Sequence, residues 1–133
     1  MTDRAEQLRS LYEAINRGDF EALDELVAPG FEWHPNPGEP ETAVRRGREQ
    51  GLARVRDFVA AFGSFRTDVE EIRDLGERVA VAVRHRGTLA GSSDEVERRE
   101  AHLWTFTGKR PVSLHEYPTL AAALDAAADA STD

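Results

Sequence analysis

Between Glu100 and Tyr117 the sequence Glu-Ala-His-Leu-Trp-Thr-Phe-Thr-Gly-Lys-Arg-Pro-Val-Ser-Leu-His-Glu-Tyr gathers side chains suited to proton chemistry. It reads as two strands joined by a tight turn at Thr107-Gly108-Lys109-Arg110. Alternation along a strand puts Glu100, His102, Trp104 and Phe106 on one face, matched by Val112, Leu114 and Glu116 on the return strand. A plain core face would be aliphatic, and a plain solvent face would not carry Trp and Phe. The mixture is that of a ligand pocket. An imidazole against an apolar wall titrates near neutrality and passes protons either way, so His102 is the first candidate for proton transfer. Glu116, on the neighbouring strand and the same face, is its expected partner, because a carboxylate beside tryptophan is costly to bury unpaired. A structural ion pair is the alternative role for the same two residues.

The remaining candidates form a wall around this pair. Trp33, Phe58, Phe62, Trp104, Phe106 and Leu114 offer apolar surface to a ligand. His34 precedes a proline-rich loop at the expected mouth, and His85 ends an inward valine face of Val79, Val81 and Val83. His115 has outer-face parity and is set aside. No metal site is expected, because the histidines lack ligand spacing such as His-Glu-x-x-His and the chain has no cysteine. Phosphate-cradling loops and serine nucleophile elbows are also absent. Acid–base chemistry needs no cofactor, and none is expected.

These residues need elements to hold them. Ala5, Leu8, Leu11, Tyr12 and Ile15 fall at helical spacing, with Gly18 as the stop. Asp19 caps a short second helix carrying Phe20, Leu23, Leu26 and Val27, which ends at Pro29-Gly30. Phe31 to His34 reads as a brief strand. Residues 35–50 hold three prolines and two glycines, which forbid a continuous helix or central strand and leave either a lid-like loop or a solvated connector. A third helix follows with Leu52, Val55, Phe58, Val59 and Phe62 on one stripe, closed by Gly63. Strand periodicity begins at Phe65, with a bulge expected at Glu70-Glu71. A turn at Gly76-Glu77 leads to the valine strand, and Gly91-Ser92-Ser93-Asp94 forms a hairpin tip. Thr119 to Ala130 reads as a terminal helix. Helices gathered before a meander imply an α+β fold with the helices on one face of the sheet, a curved antiparallel sheet wrapped over N-terminal helices to make a cone with an internal pocket, in one domain over residues 1–133.

The chain has 133 residues, no cysteine and a formal net charge of -8. That charge argues against nucleic acid and against an anionic membrane surface. No run reaches transmembrane length, and the first residues lack the apolar core of a signal peptide, so a cytoplasmic protein is expected.

The stretch Leu-Tyr-Glu-Ala-Ile-Asn-Arg-Gly-Asp-Phe-Glu-Ala-Leu-Asp-Glu-Leu-Val (11–27), followed by Phe-Glu-Trp-His-Pro (31–35), resembles the nuclear transport factor 2-like superfamily. Ala-His-Leu-Trp-Thr-Phe-Thr-Gly-Lys (101–109) and Glu-Tyr-Pro (116–118) look like its SnoaL-like branch. The resemblance implies the cone fold with its ketosteroid isomerase-like pocket, but not one activity. Ketosteroid isomerases place an oxyanion-hole tyrosine where this chain has Leu11, and Tyr12, one step round the helix, is expected to point elsewhere. Their general-base aspartate falls at His34-Pro35 and their protonated aspartate at His102, so steroid isomerisation by that set is not expected. The Asp-Arg-Asp set of limonene epoxide hydrolases is imitated only loosely by Glu100, Arg84 and Glu116. The histidine and aspartate of SnoaL-like cyclases are matched in kind by His102 and Glu116. The resemblance also implies a homodimer through the outer sheet face, where Ala80, Ala82, Leu103, Thr105 and Tyr117 are unusually uncharged.

Two functions follow as expectations. One is a cofactor-independent isomerase, cyclase or hydrolase acting on a small apolar, polyketide- or terpenoid-like molecule. The other is a non-catalytic module that binds a small hydrophobic molecule.

Overall fold

The computed structural model describes residues 4–37 and 43–131, with the backbone alone for the last two. The order of elements is α1 (Arg4–Arg17), α2 (Phe20–Leu26), β1 (Glu32–His34), β2 (Arg45–Arg46), α3 (Arg48–Ala60), β3 (Phe62–Asp74), β4 (Arg78–Leu89), β5 (Glu95–Thr107), β6 (Arg110–Tyr117) and α4 (Leu120–Ser131). The strands form one sheet in the order β2-β1-β6-β5-β4-β3. Long β3, β4, β5 and β6 pair antiparallel as the hairpin signals require. The sheet is nevertheless mixed, because β1 joins β6 in parallel.

Local signals act where the sequence places them. Asp19 caps α2 by accepting from the Ala22 amide at 3.2 Å. Gly108 takes φ 65° in the β5–β6 turn, a conformation that a Cβ disfavours. The register of β3 shifts between Val69 and Glu71, the position of the broken alternation. Three expectations are corrected. Phe62 belongs to β3 rather than to the third helix, which ends at Ala60 with Ala61 as its cap. The region 35–50 is less irregular than its prolines imply, since β2 and the first turn of α3 lie within it; residues 38–42, the centre of the expected lid, lie outside the described residues. The helices also do not share one face.

The inward face carries Val79, Val81, Val83, Trp104 and Leu114 against Leu8, Leu11, Tyr12 and Leu23 of α1 and α2. On the opposite face α4 lays Ala123 and Ala127 onto Ala80, Ala101 and Leu103, with Tyr117 at the margin. That accounts for the low charge of Ala80, Leu103 and Tyr117: α4 of the same chain covers them. Beyond α4 the outer face is a charged lattice, in which Asp68 meets Arg66 (2.8 Å) and Arg86 (2.7 Å) and Arg99 meets Glu70 (3.1 Å). No described helix is long and apolar enough to cross a membrane.

One glycine is required by close packing. A Cβ on Gly87 would stand 2.2 Å from the Ser64 carbonyl oxygen, at the second register shift of β3. Backbone cannot yield there as a side chain tip would. Gly87→Ala is expected to lower stability by about 2 kcal/mol, measured by urea unfolding.

Candidate functional site

The inward face of β4, β5 and β6 is built by register. Val81, His102 and Glu116 lie side by side across the three strands, and Val79, Trp104 and Leu114 form the next row. Two residues along β5, Glu100 shares this face with His102, and His85 shares it with Val83 on β4. The face closes against α1 and α3 around a cavity of about 60 Å³. Its wall is mostly apolar, yet His85, Glu100, His102 and Glu116 all line it. Partly exposed wall residues gather on α3, at Arg54, Val55, Phe58 and Val59, so the open side lies along that helix.

Within the wall runs a continuous chain of hydrogen bonds. Trp104 Nε1–H donates to the Tyr12 hydroxyl oxygen at 2.9 Å, and that hydroxyl lies 2.6 Å from His102 Nδ1. His102 Nε2 lies 2.7 Å from Glu100 Oε2, and His85 Nε2 lies 3.1 Å from the same oxygen. Arg98 Nε approaches the other carboxylate oxygen at 3.3 Å. His85, Glu100 and His102 are 7%, 6% and 5% exposed, so these bonds act with little screening.

The charge state of Glu100 sets the rest. Burial alone would raise its pKa, but the hydrogen bonds from His102 and His85 outweigh it and hold the carboxyl well below the usual range. An ionised carboxylate only accepts, so both Nε2 atoms must carry the donated protons. The Tyr12 hydroxyl oxygen accepts from Trp104 Nε1–H, and its own O–H donates to His102 Nδ1. Burial raises the Tyr12 pKa against the opposing Trp104 bond, and the charges of Glu100 and Glu116 raise it further, so the phenol stays neutral. Burial lowers the His85 pKa, the bond to Glu100 opposes this, and nearby His102 and Arg98 add to the lowering. His85 is therefore neutral at pH 7, with its proton on Nε2. Its Nδ1 is buried and has no hydrogen-bond partner among the described residues. A lone pair left so is costly unless something fills the place.

The structure gathers His85, His102, Trp104, Leu114, Glu116 and Phe58 around the cavity. Four other candidates are not among the lining residues. Trp33 is fully buried, with the Arg54 guanidinium 4.8 Å from its ring centroid. Phe106 is core, with Arg4 over its ring. Phe62 packs on Phe58 and Phe65. His34 has outer parity, stacked on His115 at 3.9 Å with Nε2 3.0 Å from Glu32. Arg84 faces outward to Asp68, so the Glu100–Arg84–Glu116 set is not assembled.

Tyr12 was expected to point elsewhere and instead enters the site. The stripe Leu8, Tyr12, Ile15 carried that signal, since i and i+4 share a helix face. Glu100 is the partner hydrogen-bonded to His102, whereas Glu116 stands opposite it in the register. Among the described residues, His85, Glu100 and His102 also form a group whose ligand atoms lie within 4.8 Å of one another, a spacing that ordinary hydrogen bonding accounts for.

Tyr12→Phe is expected to lower stability by about 2 kcal/mol, because Trp104 Nε1–H and His102 Nδ1 both lose a buried partner. Chemical denaturation measures the loss, and a change within a few tenths would contradict this bonding.

The comparisons with known proteins agree with this architecture. The SnoaL-like domain family matches residues 8–114. An NTF2-like protein of unknown function from Burkholderia pseudomallei K96243 superimposes with a TM-score of 0.77 at 22% identity, covering 94% of this chain and 97% of that one. A proposed SnoaL-like polyketide cyclase from Jannaschia sp. CCS1 gives 0.76 at 20% identity, over 93% and 90% of the two chains. A loop-truncation variant of IdmH gives 0.73 at 28% identity, over 85% and 90%. The first two likenesses, at such identities, show the fold alone. No curated protein matches this sequence significantly.

Proposed function

We propose that this chain, which belongs to the SnoaL-like domain family, binds a small, mostly apolar molecule in its cavity and moves protons on it. Two observations support the reading: His85 is among the residues that line the cavity, and its Nδ1 has no hydrogen-bond partner among the described residues. In the proton-transfer step a substrate C–H or O–H bond breaks, its electron pair stays on the substrate, and the proton goes to Nδ1. The imidazolium that forms is stabilised through Nε2–H by ionised Glu100, an arrangement that raises basicity where it is needed. His102 is a positioning residue here, because both of its nitrogens are already engaged. Glu116, across from His102 on the same wall, is the second group from which a proton can be exchanged with substrate. Isomerisation, cyclisation and hydrolysis all use such a step.

Size bounds the substrate. A cavity of about 150 Å³ holds benzene, so a space of about 60 Å³ admits only the reacting end of a larger molecule. The remainder would rest at the rim along α3. Homodimerisation through the outer sheet face is part of this proposal only as a family expectation, and size-exclusion chromatography with light scattering tests it.

The experiment uses small ketones that first raise the melting temperature, since a ligand selective for the native state must do so. Deuterium exchange at their α-carbons in D2O is then followed by NMR. The wild-type protein is expected to accelerate exchange over buffer and His85→Ala to lose that acceleration. Bound ketones that exchange no faster than in buffer would leave a binding module without catalysis.

A further inference from the structure

Many of the arginines in this chain are spoken for. Arg45, Arg46, Arg66, Arg84, Arg86 and Arg99 each pair with a carboxylate, and Arg48 binds the Asp24 carbonyl. Arg54 has no carboxylate partner among the described residues, a state it shares with Arg56 over the Phe20 ring, although the chain carries an excess of acidic groups. It is also the one arginine or lysine among the cavity's lining residues.

Its guanidinium is held in place by rings rather than by an ion pair. The carbon centre lies 4.8 Å from the Trp33 centroid and 5.5 Å from that of Phe58. Such stacking fixes the plane of the fork while leaving its N–H donors for another partner. Arg54 is half-buried on the open side of the cavity, so a ligand group reaching it would be only partly screened by water. Glu100, a buried carboxylate of the same wall, is already hydrogen-bonded by His85 and His102 and paired with Arg98, and does not take up this charge. Trp33, absent from the lining residues, acquires a role as the platform behind the cation.

We infer that Arg54 receives the carboxylate of a small carboxylic acid whose apolar part enters the cavity. The inference rests on the reading of this cavity as the substrate site and narrows its substrate class. A planar fork meets a carboxylate with two parallel N–H donors, a match that a neutral amide or ketone cannot reproduce. The apolar wall around it then rewards a branched or cyclic hydrocarbon portion over a second charged group.

Isobutyrate and isobutyramide, nearly equal in size and shape, are the probes, with binding followed by NMR titration at low salt. The wild-type protein is expected to prefer isobutyrate by about tenfold, the scale of a charge-assisted hydrogen bond. Arg54→Gln should reduce that preference to below about twofold, while Arg54→Lys retains part of it. Arg54→Met, which keeps apolar contact with Trp33, serves if the Gln variant is misfolded. Equal binding of the two probes, no detectable binding of isobutyrate, or a preference untouched by loss of the charge overturns the inference. A carboxylate preference that depends on Arg54, together with ketone exchange that ignores His85, would uphold this site and remove the proton-transfer reading. The reverse pair of results would do the opposite.

Discussion

Glu100→Gln is expected to lower the stability of the protein by about 3 kcal/mol, equivalent to a fall of roughly 10 °C in Tm for a chain of this size. The carboxylate accepts from two buried histidines and an arginine. An amide accepts at one oxygen and turns its NH2 against an N–H that needs an acceptor, so one partner is left unsatisfied. The value sits at the lower end for a broken buried ion set because Arg98 is largely exposed and keeps its hydration. The same substitution alters the pH dependence of stability. The folded pKa of Glu100 lies below its ordinary value of 4.5, so its contribution is complete above that value and is lost as pH falls through the folded pKa. His85 and His115 work at higher pH: burial lowers both from 6.5, His115 to about 4. Below pH 6.5 the unfolded chain takes up protons that the native state refuses, and stability falls from there. Wild-type protein should therefore lose stability in two ranges, and the Gln variant should show a shallower slope below pH 4.5. Urea unfolding across pH 3.5 to 7.5 measures both effects. An unchanged midpoint at pH 7 would show that the carboxylate is not the hub of the network.

His85→Ala separates function from structure. Its loss should reduce proton-transfer rates by about 10² to 10⁴-fold, the usual contribution of a positioned base, with a stability change within about 1 kcal/mol. The small structural effect follows from its bonding, since one nitrogen has no partner to abandon and Glu100 keeps His102 and Arg98. His102→Ala should behave otherwise. It strands the Tyr12 hydroxyl and removes one acceptor bond of Glu100, at a cost of about 2 to 3 kcal/mol. Comparing the pair by melting temperature and by exchange rate distinguishes a base from a brace. Equal losses of rate with intact stability in both would return the catalytic role to His102.

Much of this arrangement was legible because strand alternation is a strict rule. The face Glu100, His102, Trp104 opposite Leu114 and Glu116 follows from period two and one turn, and the structure holds that register. What alternation cannot decide is which of two same-face carboxylates bonds a histidine. Glu100 two residues back and Glu116 across the ladder both lie within side-chain reach, and only the rotamers choose. The covering of the outer face by α4 had a signal in the unbroken apolar run Val79 to Val83, which describes a strand buried on both sides rather than one. Phe62 fell to the wrong element because an aromatic at the end of a helical stripe also begins a strand, and pairing with Leu89 settled it. Arg54 carried no signal, since an arginine on a helix is ordinary until its neighbours are known.

The proposed proton transfer depends on the protonation of one ring. Long-range ¹H–¹⁵N correlation spectra of the histidine side chains at pH 7, with His85→Ala to assign the resonances, read it directly. The expected result is a His85 ring protonated at Nε2 and bare at Nδ1, with a titration midpoint below 6.5. A His85 ring that carries its proton on Nδ1, or on both nitrogens at neutral pH, would contradict it.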